Sequence, residues 1–253
     1  MKIGDPSFDY DKGGQLYSEV RKADPRIADA IHSALGDGRT VLNVGAGAGS
    51  YEPLDRHVVA LEPSETMRKQ RPRKLAPALI GTADAIPFDD DAFDAAMAIL
   101  TVHHWKDRSR CLREIRRVTR SHVVILTFDP EAPTEFWMGD YAPELVDVER
   151  IRYGRISSIT DVLGERCEVR PIAVPIDCTD GFQDAFYARP EAFLQKEKRK
   201  SQSAWGFLSP ETENRIVSDL ASDIQSGAWD REYGHLRERP EIHCQLRLIV
   251  AHP

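Results

Sequence analysis

The stretch TVLNVGAGAGSYEP, residues 40–53, places glycines at 45, 47 and 49. The spacing is close to the nucleotide-binding GxGxxG pattern, but Ser50 stands where the last glycine should be. Glycine in such a loop lets the backbone turn sharply and approach a ligand with no Cβ in the way. About 17 residues past Gly45 comes Glu62, where an acidic side chain can accept hydrogen bonds from ribose hydroxyls. The lost third glycine, Pro53 and an early apolar run at His57 leave little helix to aim its positive end at a phosphate. These residues therefore suit a ligand with a ribose and no phosphate. Further along, Asp84 follows another short apolar run, and the pair His103 and His104 ends a later one. Imidazole takes a proton near neutral pH, which makes His104 the first choice for a base or substrate-orienting group. Asp177, in PIDCTDGF, is an alternative base if buried and a turn residue otherwise.

The elements that must position these residues are legible as short, nearly continuous apolar runs: 40–44, 57–62, 77–81, 93–100 and 122–128. Such runs fit parallel strands covered on both faces. Helical patterns accompany them at 24–35, with Asp24 as cap and Pro25 in the first turn, and at 107–119, where Cys111, Leu112, Ile115 and Val118 share a face. Alternating strands and helices predict an α/β fold with a doubly wound, mostly parallel sheet. After Phe128 the pattern changes. CEVRPIAVPI reads as a strand interrupted by Pro171 and Pro175, as at a sheet edge, and the alternation in HCQLRLIVAH predicts a last, antiparallel strand. The chain reads as one domain, 1–253, with segments 1–30, 130–164 and the aromatic-rich 178–236 as a helical cover over the substrate.

Four blocks, VLNVGAGAG, VVALEPSETM, TADAIPFDDDAFDAAMAI and TVHHWKD, resemble the class I S-adenosylmethionine-dependent methyltransferases, in particular the type 11 group. The resemblance covers roughly residues 38–128 and implies a Rossmann-like fold, S-adenosylmethionine as cofactor and no metal. It implies that the loop Gly45, Ala46, Gly47 and Gly49 holds the methionine part, Glu62 the ribose, and Met67 the adenine face. Asp84 and Ala85 would read the adenine edge, with Pro63, Leu100 and Tyr51 completing the wall. In the N-terminal segment Tyr10, Tyr17 and Arg21 are placed to close over the cofactor carboxylate. Two departures stand out: the helix after the glycine loop is truncated, and RSHVV replaces the usual proline-glycine turn before the fifth apolar run.

Composition narrows the function classes. The formal charge of −7 disfavours unspecific binding to a phosphate backbone, although basic runs at 68–74, 108–120 and 196–200 keep a tRNA or rRNA methyltransferase as an alternative to a small-molecule one. A non-catalytic S-adenosylmethionine-binding protein is a further alternative. A nicotinamide-dependent short-chain oxidoreductase is disfavoured by the lack of a YxxxK pair. No apolar run reaches membrane-spanning length, no export signal is apparent, and the four cysteines are scattered without a CxxC, so a cytoplasmic protein with reduced thiols is expected.

Overall fold

The computed structural model describes residues 9–14 and 17–253. Its centre is a six-stranded sheet of β1 (Thr40–Val44), β2 (His57–Leu61), β3 (Ala95–Ile99), β4 (Val123–Phe128), β5 (Cys167–Pro171) and β8 (Leu246–Ala251), in the order β2-β1-β3-β4-β8-β5. The first four strands pair in parallel, and β8 runs antiparallel to both of its neighbours. A separate two-stranded ribbon joins β6 (Val174–Pro175) to β7 (Glu241–Ile242).

Successive strand residues feed opposite faces, which is why the runs are apolar throughout. Val41, Met97, Val124, Leu126 and Leu248 share one cluster with the helix Pro25–Ala34 and with Trp137, Phe193 and Trp229 of the cover. Leu42, Ala96, Ile125 and Ile249 meet the helices Arg108–Arg117 and Ser157–Leu163 on the other face. The helix Pro25–Ala34 starts where Asp24 accepts the Arg26 amide and Pro25 fills the first turn, and it buries Ile27, Ile31 and Ala34. Asp107 caps the helix Arg108–Arg117 in the same way.

Two predicted elements differ. The run 77–81 makes a single bridge, Leu61 to Leu79, rather than a strand. It lies outside β2 at the sheet edge, between Pro77 and Gly81, where Leu79 and Ile80 are exposed and gain nothing from a longer ladder. The stretch 167–176 splits into edge strand β5 and ribbon strand β6, since Pro171 and Pro175 each lack an amide hydrogen for continued pairing. Residues 45–56, between β1 and β2, hold turns and no helix. The aromatics Tyr187, Phe193, Trp205 and Trp229 of the cover are buried and pack on the sheet. No helix among the described residues is long and apolar enough to cross a membrane.

Candidate active site

The residues that immediately follow β1, β2 and β3, namely Gly45 and Ala46, Glu62 and Pro63, and Leu100 and Thr101, all line one cavity of about 540 Å³. This is the carboxyl edge of a parallel sheet, where ligands bind in open α/β folds, and the volume is that of a small-molecule site. Gly47, Tyr51, Met67, Asp84, Arg21 and His104 line the same space. Gly49 and Ala85 do not. Gly49 turns the chain at φ 87° against Leu75 and packs behind the loop, while Ala85 faces solvent.

Close packing explains the loop. Gly45 has φ 66°, and a Cβ there would lie 2.2 Å from Thr101 Oγ1. Its amide and that of Ala46 both reach the Leu61 carbonyl, at 2.9 and 3.0 Å, which ties the turn to β2. Two non-glycine residues on the wall, Tyr51 at φ 67° and Leu100 at φ 50°, also adopt the left-handed region, a strain of roughly 1–3 kcal/mol each that clusters at functional sites.

Glu62 is buried, and its carboxylate accepts the Gly47 amide on one oxygen and the Ser64 amide on the other, both at 2.8 Å. Burial raises its pKa, and the two amides oppose that rise. Each oxygen keeps a second lone pair for hydroxyl donors. Asn43 is 1% exposed and lines the cavity from within β1; it donates to Glu52 at 2.9 Å, while its Oδ1 has no partner. Such an orphaned acceptor fits a ligand that donates hydrogen bonds. Behind it Glu52 forms a buried pair with Arg71 at 2.9 Å. Around the rim Asp9, Asp11, Asp84 and Asp107 face Arg21 and Lys106, a balance that suits hydroxyl and cationic groups better than phosphate.

Asp9, Tyr10, Asp11 and Arg21 bring the N-terminal part of the chain to the cavity wall. Asp11 accepts the Ser64 hydroxyl at 2.6 Å and the Thr66 amide at 2.9 Å, and these bonds hold its carboxylate below the ordinary range. The Tyr10 hydroxyl meets His104 Nε2 at 3.1 Å. Arg21 forms a buried ion pair with Asp180, 2.6 Å, whose other oxygen accepts the Tyr51 hydroxyl at 2.8 Å. The side chain of Tyr17 lies outside the described residues.

Two expectations about catalytic groups change. His103 and His104 lie on a 3₁₀ turn, Val102–His104, with ring centroids 3.9 Å apart, rather than on a strand end. Burial, assisted by Arg152, pushes His104 down to about 3, so its imidazole stays neutral at physiological pH and is poorly matched to a general base. A neutral, cavity-lining ring bonded to Tyr10 suits orientation of a substrate instead. Asp177 is 73% exposed, paired with Arg26 at 2.7 Å, and absent from the cavity wall; it is a turn residue. The buried carboxylate in this part of the chain is Asp180, bridged to Arg21.

Residues 42–127, from β1 to β4, match the family described as a methyltransferase domain. The match spans about a third of the chain and places a methyltransferase domain across β1–β4. A putative methyltransferase from an antibiotic biosynthesis pathway of Anabaena variabilis is 29% identical, and the likeness covers 92% of this chain and 99% of that one at a TM-score of 0.85. An uncharacterised methyltransferase of Bacillus subtilis is 25% identical over 132 residues, 48% of this chain and 52% of its own length. One from Mycobacterium tuberculosis is 37% identical over 90 residues, 32% of this chain and 36% of its own. The chain thus spans about half or less of the length of these curated relatives, while the Anabaena likeness extends beyond the methyltransferase domain into the cover.

Sequence reasoning missed Asn43, Thr101 and Asp180. Asn43 carried a signal: it is the one side chain in VLNV that is not apolar. Asp180 reaches Tyr51 across 129 positions, and no local pattern marks it.

Proposed function

We propose that the chain transfers the methyl group of S-adenosylmethionine to a small-molecule acceptor enclosed under its cover. The observation that carries this reading is the large cavity at the carboxyl ends of β1–β3, walled by the glycine loop, Glu62 and Asp84 and lined also by Tyr10 and Arg21. In this reading Glu62 takes the ribose hydroxyls, Gly45–Gly47 and Asn43 the methionine part, and Met67 with Asp84 the adenine. The bound cofactor supplies an activated methyl group and a neutral thioether as leaving group. This chain supplies placement and dryness: Tyr10 and His104 orient the acceptor, and the N-terminal segment excludes water.

Several arginines of the basic runs are engaged within the chain, which supports a small acceptor over RNA. Arg71 is buried on Glu52, Arg117 pairs with Glu114 and Asp90, and Arg199 pairs with Glu213. Arg116 donates to the Ser121 and Thr119 carbonyls. Isothermal titration of the folded protein with S-adenosylhomocysteine tests the reading. Saturable binding supports it, and absence of heat overturns it; steep, salt-dependent retention of tRNA would favour the RNA acceptor.

A further inference from the structure

Behind Leu100 lies a second, smaller chamber of about 40 Å³ that shares Tyr10, Arg21 and Leu100 with the cofactor cavity as common wall. Two carboxyl groups line it: Glu149, on the helix Pro143–Tyr153, and Asp184, from the cover. Gln183 and Gln202, each 7% exposed, line it too, and the Oε1 of each is buried without a partner. Those oxygens only accept hydrogen bonds, so two side chains on this wall ask for a donor, and the two carboxyls join them once ionised. Aromatic rings complete the enclosure: Phe128 meets Tyr153 edge-on at 5.4 Å and Phe182 at 5.7 Å.

We propose that this chamber is the head-group subsite of the methyl acceptor and takes a protonated amine, held by Glu149 and Asp184 against Phe128, Tyr153 and Phe182. The inference deepens the methyltransferase reading and rests on it. Size is the first argument: about 10–15 Å³ of such space is enough for one water, so a chamber of about 40 Å³ takes a small ammonium group such as methylammonium, with the remainder of the acceptor extending past Leu100 toward the cofactor. Charge is the second. The lining holds two carboxyls and the Arg152 guanidinium, which donates to Ser203 at 3.0 Å and lies over the Phe207 ring. Arg21 is neutralised by Asp180. Ionised together, the two carboxylates leave the wall one negative charge in excess, which a single ammonium balances. Aromatic faces attract a desolvated cation further.

The groups facing the pair fix the sign of the pH dependence. Burial, reinforced by Asp184 and opposed by Arg152, pushes Glu149 up to about 8. Burial pushes Asp184 up to about 6, against the Gln245 amide and Arg247 of β8. His103 is kept neutral by burial and the neighbouring His104, and Tyr153 is kept protonated by burial and Glu149. Without a cation the chamber therefore holds protons, and an ammonium must displace them. Affinity rises as pH climbs from 6 to 8, by roughly one to two orders of magnitude when both carboxyls ionise in the complex.

The test is a heteronuclear NMR titration with methylammonium chloride, against methanol and sodium chloride, on protein with and without saturating S-adenosylhomocysteine. The expected result is saturable methylammonium binding, shifts confined to chamber residues, at least about tenfold tightening from pH 6 to pH 8, and no response to methanol. Glu149→Gln and Asp184→Asn should each weaken methylammonium at least about tenfold while still binding S-adenosylhomocysteine, which shows that they fold. Absent or pH-independent methylammonium binding, or binding unchanged in both variants, overturns the inference and leaves the methyltransferase reading standing. Failure of S-adenosylhomocysteine to bind the wild type overturns that reading, and the acceptor assignment with it.

Discussion

Replacing Gly45 with alanine places a Cβ where the structure leaves no room for one. At φ 66° a non-glycine residue costs roughly 1–2 kcal/mol. The new carbon would sit 2.2 Å from Thr101 Oγ1, 2.9 Å from its Cβ and 3.0 Å from its Cγ2, so the whole threonine must move rather than one flexible tip. Thr101 is buried and follows the strained Leu100, and overpacking of this kind costs typically about 1–3 kcal/mol. Together the two effects amount to about 2–5 kcal/mol, within reach of a domain that stays folded. Both Gly45 and Thr101 line the cavity, so S-adenosylhomocysteine affinity should fall at least about tenfold in Gly45→Ala. Gly49→Ala is the matched control: it meets Leu75 at 2.3 Å with φ 87° but lies off the cavity wall, so it should lower stability without a comparable loss of affinity. Urea denaturation and isothermal titration on both variants measure the two effects. A Gly45→Ala protein within about 0.5 kcal/mol of wild type, with unchanged affinity, would refute the loop geometry.

Glu52→Ala strips a buried guanidinium of its carboxylate and Asn43 of its acceptor, and should cost about 3–5 kcal/mol by urea denaturation. Asp24, fully buried, is raised by burial but more strongly lowered by the Arg26 guanidinium and the Thr179 and Arg26 amides, to about 2. Its folded pKa is depressed, so its contribution is complete above the unfolded value of 3.8 and fades as pH falls toward 2. Asp24→Asn should therefore lose about 1–2 kcal/mol at pH 7, half-exposed Arg26 being partly screened, and the gap from wild type should close between pH 4 and pH 2. His104 held at about 3 predicts flat ring resonances by NMR from pH 5 to pH 8; a midpoint near the ordinary 6.5 would contradict its burial. The unfolded chain takes up the proton that folded His104 refuses, so this residue lowers stability as pH drops from 6.5 toward 3.

What was legible in the sequence follows from range. Gly45, Glu62 and Leu100 each stand one residue past a strand that its own apolar run announces, and parallel pairing brings the three ends together at one cavity. Met67 follows because Ser64 caps the short helix Glu65–Lys69 just after Glu62. Edge effects were less legible: Leu79 and Ile80 look like strand residues until their exposure outside β2 is known. Least legible was the difference between Asp177, which the sequence suggested, and Asp180, three positions later, which it did not. Only the bridge between Arg21 and Asp180 turns the second inward and leaves the first to Arg26 at the surface. The chamber behind Leu100 is hidden for the same reason, since Glu149, Asp184 and Gln202 lie far apart along the cover.

A crystal structure grown with S-adenosylhomocysteine tests the central claim most directly. The account predicts the nucleoside in the cavity beyond β1–β3, its ribose hydroxyls within hydrogen-bond distance of Glu62 and its sulfur directed toward Leu100 and His104. A ligand bound elsewhere, or Glu62 making only its bonds to Gly47 and Ser64 while the cofactor lies out of reach, would contradict it.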